Sequence, residues 1–402
     1  MSAAPAASRD PYAWLPERLH PLVEAEYARF SDSEMARRRA SMFALMAERR
    51  VDHLLVYGAQ RNGSAIPWLT GWPTTAEAAL VMTPERRDLL FVQYHNHVPL
   101  ARRIAERVEV HWGGESTLKC VIDALSARGA VRGRVGIVGP LGFAAHQALA
   151  DAFDAVLDLN RAYTALRLVK SDEEIDWLRI GAGLSDRAIA ALGRELRIGL
   201  SERDLGDIVE RAYVPFGGTT GIHYFGTTSM ADPDCAVPRQ FPSSRRLQAG
   251  DIVFCEISAA FWDYPGQILR SFALAAEPPP LYRDLHATAS AAYEAIVARL
   301  RAGATAAELV EASSLIEAAG FTTCDDLVHG YGGGYLPPVL GSKSRPAGPV
   351  PDFTFEAGMT IVVQPNVVTR DGKAGVQTGE LVRVTATGFE RLHKVPQGFL
   401  RA

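Results

Sequence analysis

The stretch RLVKSDEEIDWLRIGAGLSDRAIAALGREL, Arg167 to Leu196, decides how the chain is read. Ser171 followed three residues later by Glu174 is a capping box: the hydroxyl and the carboxylate satisfy amide groups that a helix start leaves without partners. Apolar residues then recur at helical spacing, which predicts one long helix over Ser171–Leu196 that opens a second domain. Downstream, helical patterns at Leu205–Val214, Tyr282–Leu300 and Ala306–Ala319 are interleaved with the strand-like runs DIVFCEISAAFW, QILRSFALA, MTIVVQPNVV and GELVRVTA. Strands drawn from well-separated parts of the chain predict an α+β domain with a mainly antiparallel sheet. Upstream, a helical pattern at Glu34–Arg50 precedes the buried-strand pattern Val51–Tyr57. Short apolar runs at Ala78–Met82, Leu89–Val92 and Val135–Val138 alternate with helical stretches around Val98–Arg107, Glu115–Ser126 and Phe143–Ala152. That alternation predicts an α/β N-terminal domain over residues 1–160, followed by the α+β domain over 161–402.

Composition removes several function classes. The 402 residues are 48% hydrophobic and 22% charged with a formal net charge of −4, the figures of a globular chain and not of a nucleic-acid-binding one. No apolar run approaches the length needed to span a bilayer, and MSAAPAASRDPYAW holds no apolar core of a secretory signal. Four scattered cysteines, Cys120, Cys235, Cys255 and Cys324, show no paired spacing. Together these features predict a cytoplasmic protein with reduced thiols and a small-molecule substrate, and no nucleic-acid or membrane partner.

Five pieces of the second half occur in an order that carries a resemblance. They are Arg167-Leu-Val-Lys-Ser-Asp-Glu-Glu-Ile175, LQAGDIVF (Leu247–Phe254), VHGYGGG (Val328–Gly334), EAGMTIVVQP (Glu356–Pro365) and GVQTGELVRVT (Gly375–Thr385). Residues 161–402 thereby resemble the pita-bread fold of the creatinase, prolidase and aminopeptidase P superfamily, and the first half fits that family's smaller domain. The resemblance implies a homodimer, with WLTGWP (Trp68–Pro73) similar to a segment that lines a partner's cleft. It also implies a two-metal site built from Asp, Asp, His, Glu and Glu. Carried over one at a time, those positions fall on Glu256, Gln267, His329, Gln364 and Gly379, with Glu380 beside the last. Two divalent cations at short separation need several carboxylates to balance their charge, and here one carboxylate remains. Glu380 alternates to the opposite strand face from Gly379 and does not replace it without a bulge. Neither metal nor another cofactor is therefore expected.

The remaining candidates are weighed by residue chemistry. His329 can move a proton near neutral pH, and Glu256, in the otherwise apolar FCEISAAF, needs a partner or a polar cleft; these two are the catalytic candidates, with Glu256 raising the pKa of His329. Gln267 and Gln364 can hydrogen-bond a substrate or each other. His223 falls in a segment read as a loop near the pocket, Tyr264 in the turn between two sheet strands, and Arg239 where a guanidinium could clamp a carboxylate. With Glu380, these are the substrate-binding candidates. Arg270 reads as half of a structural ion pair, and the Gly330–Gly334 run as a tight turn and not a phosphate cradle. His95 and His97 lack a third ligand and read as loop or interface residues. The expected function is metal-independent cleavage of a C–N bond in a small amino-acid-like or amidino substrate. A non-catalytic binding or regulatory protein on the same fold is the alternative, and an Xaa-Pro metallopeptidase a third reading.

Overall fold

The computed structural model describes residues 10–402. Contacts divide the described chain into a unit comprising Glu26–Arg167 and a unit comprising residues 10–25 together with Leu168–Ala402. The expected division at 160/161 thus falls at 167/168, and the N-terminal segment groups with the second unit. It does so because Trp14 and Leu15 pack over Gly183, where any side chain would collide with the indole.

The smaller unit is a six-stranded sheet flanked by helices. Its strands are β1 (His53–Ala59), β2 (Glu77–Met82), β3 (Leu89–Val92), β4 (Glu109–Trp112), β5 (Arg134–Val138) and β6 (Ala155–Asp158), in the spatial order β4-β3-β2-β1-β5-β6. β1–β2 and β2–β3 are antiparallel; β3–β4, β1–β5 and β5–β6 are parallel. Leu55, Val81, Phe91, Val135 and Ile137 fill one core with Val121, Leu125 and Leu149 of the covering helices. His95 and His97 lie in a single turn of 3-10 helix, where His95 packs edge-on against Trp112 and His97 bonds Thr75.

The larger unit is built on a nine-stranded sheet. Its strands are β7 (Gly218–Ser229), β8 (Asp251–Phe261), β9 (Tyr264–Ala273), β10 (Thr322–Thr323), β11 (Val328–Tyr331), β12 (Tyr335–Leu340), β13 (Thr360–Val363), β14 (Val367–Val368), β15 (Gly379–Val384), β16 (Phe389–Arg391) and β17 (Phe399–Arg401). The main order is β12-β11-β13-β15-β9-β8-β7, with β16 on β15, β17 on β9, and β10 and β14 paired apart. All neighbours along the main order are antiparallel.

The helix that decides the reading runs over Asp172–Glu195, with Ser171 and Glu174 forming both bonds of the capping box. It crosses the β8–β9 hairpin at backbone contact: a Cβ at Gly181 would overlap the Tyr264 carbonyl, and one at Gly266 would overlap Ala182. Two glycines therefore set the depth at which the hairpin sits, one residue from Gln267. Helices at Glu202–Tyr213 and Pro280–Val297 match their patterns, whereas Ala306–Ala319 is broken into Ala306–Ala312 and Leu315–Ala318.

The segment around His223, read as a loop, belongs to the long edge strand β7, whose Gly- and Thr-rich sequence hides the alternation. The glycine run after His329 is the β11–β12 turn, with Gly332, Gly333 and Gly334 all at positive φ, as a tight reversal requires.

Candidate functional site

Sheet register decides which candidates meet. In β8–β9, Glu256 pairs with Leu269 and Ser258 with Gln267; in β9–β15, Leu269 pairs with Gly379; in β11–β13, His329 pairs with Val362. Directly opposed residues share a face and alternate residues return to it. Glu256, Gln267, His329, Gln364 and Gly379 therefore lie on one face of the sheet. Side-chain bonds confirm the meeting: Gln267 Nε2 donates to Glu256 Oε1 at 3.0 Å and to Gln364 Oε1 at 2.8 Å. Gln267, Gln364 and His329 are closed from solvent, whereas Glu256 is partly exposed.

The imidazole of His329 is 1% exposed and stacks on the Tyr335 ring at 4.0 Å, with Tyr331 edge-on at 5.4 Å. Its Nδ1 lies 3.1 Å from the Gly330 carbonyl, an acceptor, so Nδ1 carries the proton of the neutral ring. Burial lowers its pKa to about 4 against weaker opposing pulls from the Gly330 carbonyl, Asp326 and the Gln364 amide. The expected upward shift by Glu256 is corrected by this geometry. Glu256 is itself uncharged near neutrality, because burial, then the nearby Asp325 and Asp326, push its carboxyl up to about 8.

Acidic groups surround that carboxyl. Burial also raises Asp325, whose carboxylate accepts a bond from Asn366 at 3.3 Å, and Tyr335 donates its hydroxyl proton to Asp326. Among the described residues, no lysine or arginine forms an ion pair with Glu256, Asp325 or Asp326. Sequence reading missed this acidic pair, although the adjacent acids of CDDLVHG stand just before the His-Gly turn and were the available signal.

Four of the substrate-binding candidates lie elsewhere. His223 pairs with Ile257, not Glu256, so it faces away from the site; its Nε2 lies 2.5 Å from Tyr213 Oη, and burial lowers its pKa. A bulge between Thr220 and Ile222 shifts the register by one residue and places Tyr224 opposite Glu256 instead. Tyr264 is not in an exposed turn: it begins β9, is buried, and donates to the capping Glu174 at 2.9 Å. Arg239 pairs at 2.6 Å with Glu202, a fully buried carboxylate that also takes bonds from Thr227 and the Ser243 amide, so its charge is spent inside the fold. Glu380 lies on the opposite face, held by Arg270 at 2.6 Å and by Arg391 and Tyr293.

A pair of metal ions does not fit this donor set. The amide of Gln267 turns NH groups, not lone pairs, toward both neighbours. At Gly379, φ is +138°, and a Cβ would overlap the Val363 carbonyl and crowd Gln364, so this backbone leaves no room for a carboxylate side chain there. Among the described residues, no group of three or more His, Cys, Asp and Glu side chains is arranged to hold an ion.

Comparisons with known proteins point to one lineage. The profile of metallopeptidase family M24 matches residues 176–386. An Xaa-Pro dipeptidase of Pyrococcus furiosus is 26% identical over 238 residues, which cover 58% of this chain and 66% of that protein, just under two thirds of its length. An uncharacterized hydrolase/peptidase of Sinorhizobium fredii is 23% identical over 391 residues, 92% of this chain and 96% of that one. Among solved structures, an Xaa-Pro dipeptidase from Bacillus anthracis superposes with a TM-score of 0.78 at 20% identity, covering 92% of this chain and 100% of its own, which establishes the shared fold. Among the described residues, no helix is long and apolar enough to cross a membrane.

Proposed function

The chain belongs to metallopeptidase family M24, and from that premise we propose that it is a metal-independent enzyme that cleaves a C–N bond of a small cationic substrate, an amidine or guanidine, with Glu256 as the proton carrier. The observation that carries this reading is the local charge. Glu256, Asp325 and Asp326 lie together with no lysine or arginine in ion-pair contact among the described residues, Arg345 acting on Asp325 only from a distance, and a substrate cation would supply countercharge at close range. Tyr224 stands opposite Glu256 in the sheet, and Tyr331 and Tyr335 lie near enough to feel the same carboxyl, so the acid is bordered by aromatic side chains.

In the resting state Glu256 holds its proton. Binding of the cation releases that proton to solvent; the carboxylate takes one from the water that adds its oxygen to the amidinium carbon and returns it to the nitrogen of the tetrahedral adduct, which then leaves. The C–N bond is replaced by C–O and N–H, and the carboxylate is restored. Gln267 fixes the carboxyl by bonding one of its oxygens, and Gln364 extends that amide chain toward the imidazole. His329, buried and neutral, acts as a positioning residue: its stack on Tyr335 and its bond to Gly330 hold the turn beside the acid.

The test is a turnover screen of amidines, guanidines and Xaa-Pro dipeptides, each with chelator and with added Mn2+, on wild type and Glu256→Gln. Turnover of an amidino or guanidino compound that survives chelator and falls at least about 100-fold in Glu256→Gln is the expected result. Xaa-Pro hydrolysis that needs added metal would overturn it in favour of the activity the relatives' names give. Tight binding of cations without turnover would leave a binding protein.

A further inference from the structure

A cleft of about 670 Å³ lies apart from that site, between the helices Asp172–Glu195 and Glu202–Tyr213, the Trp14 segment and Lys394–Pro396. One face of the long helix forms its floor. Gly183, Ala190 and Ala191 leave the hollow, and Arg187 and Arg194 stand over it two turns apart, about 10 Å along the axis.

Arg187 is held as a binding group is held. Its guanidinium lies 3.8 Å from the centre of the Phe216 ring and 5.5 Å from that of Trp14, and its Nε donates to the Ala212 carbonyl at 3.0 Å. Stacking and that single bond fix the plane of the group, and among the described residues no carboxylate pairs with it. Burial, then the like charge of Arg194, lower its pKa from the usual guanidinium range. The acids that line the cleft are already committed. Asp186 takes bonds from His393 at 2.8 Å and from the Lys394 amide at 2.6 Å, while Glu195 pairs with Arg211 at 3.0 Å. Lys394 donates its ammonium to the Trp14 carbonyl and adds a further positive charge at the rim. Two arginines that repel each other over a concave floor, with every nearby acid engaged, lack an anion.

We propose that this cleft binds a small multiply charged anion, a phosphate ester or a polycarboxylate, through the guanidinium groups of Arg187 and Arg194. The stacked plane of Arg187 offers its outer edge for a two-pronged bond, and Arg194, on the open side, closes on the second charge. A monovalent carboxylate meets only one of the two.

Calorimetric titration of the intact protein at low salt, with pyrophosphate and with citrate as probes and acetate as control, tests this. Binding of either divalent or trivalent probe, at least ten times tighter than acetate, is expected. Preference for pyrophosphate assigns the site to phosphate, and preference for citrate to carboxylates. Arg194→Gln, a change at an exposed position, should weaken binding at least tenfold, as should Arg187→Gln; Arg187→Lys should retain part of it, and Glu256→Gln should leave it unchanged. No binding of either probe up to about 5 mM would overturn the proposal. So would binding that Arg194→Gln leaves unaltered, or an equal response to acetate.

Discussion

Alternation along β8, β9 and β15 sends the carboxylates of Glu256 and Glu380 and their partners to opposite faces of one sheet, and the two faces treat charge in opposite ways. On the core face, Glu380 meets Arg270 and Arg391, and Arg270 also caps the carbonyls of Gly379 and Leu269 at 2.8 and 2.9 Å. Burial opposes ionisation of Glu380, yet Arg391, His393 and Arg270 together hold its carboxyl below the usual range. On the other face, Glu256 has an amide where a metal or an arginine would stand, and its pKa rises to about 8. Compensated charge on one face is architecture; uncompensated charge on the other is available for a ligand.

The largest effect belongs to the core face. Arg270→Met removes a fully buried guanidinium and strands part of a buried carboxylate, so unfolding in urea should show a loss of about 3–5 kcal/mol. A loss below about 1 kcal/mol would mean that Arg391 alone balances Glu380, and the contrast between the faces would weaken.

Next in size is the pH dependence, where the faces should move in opposite directions. Glu380 is lowered, so its contribution is complete above the unfolded carboxylate pKa and is lost as pH falls through the folded value. Glu256 is raised, so the folded state keeps a proton that the unfolded chain releases, and stability falls as pH rises from about 4.5 to about 8. Glu256→Gln removes that penalty. It should match wild type at pH 4 and exceed it at pH 9 by on the order of 2 kcal/mol, a figure reduced from the full shift because the carboxyl is partly open to water. Equal stability of the two proteins at pH 9 would place the Glu256 pKa near its ordinary value and remove the basis for its role as an acid.

The legible parts of this molecule were those written in local pattern. Ser171 and Glu174 announce the long helix because a capping box is a short-range device, and the opposite orientation of Gly379 and Glu380 follows from strand alternation alone. The meeting of Glu256, Gln267, His329 and Gln364 was reached only through resemblance, since their register depends on pairing across distant segments. The charge state of the pair was not legible. Burial suppresses the charged form of both groups, lowering His329 to about 4 and raising Glu256 to about 8, and how far each is buried is set by the packing of distant segments. Arg239 and Tyr264 were misjudged for the same reason, because their partners Glu202 and Glu174 belong to helices far away in sequence.

The smallest expected effect tests the edge of the same contrast. His223, Ile257, Ile268 and Glu380 form one row across the sheet on the core face, while Tyr224 and Glu256 form the neighbouring row on the site face. The bulge around Gly221 alone decides which of the two aromatic residues of β7 meets Glu256, because counting back from Thr220 without it would pair His223 with Glu256. In His223→Gln the bond to Tyr213 is weakened, which should cost about 0.5–1.5 kcal/mol of stability. The titrating group is removed from the core face only, so turnover and its pH profile should stay unchanged once a substrate is in hand. A shift in the pH profile would show that His223 communicates with Glu256 across β7, and that the strand does not separate the two faces as the register implies.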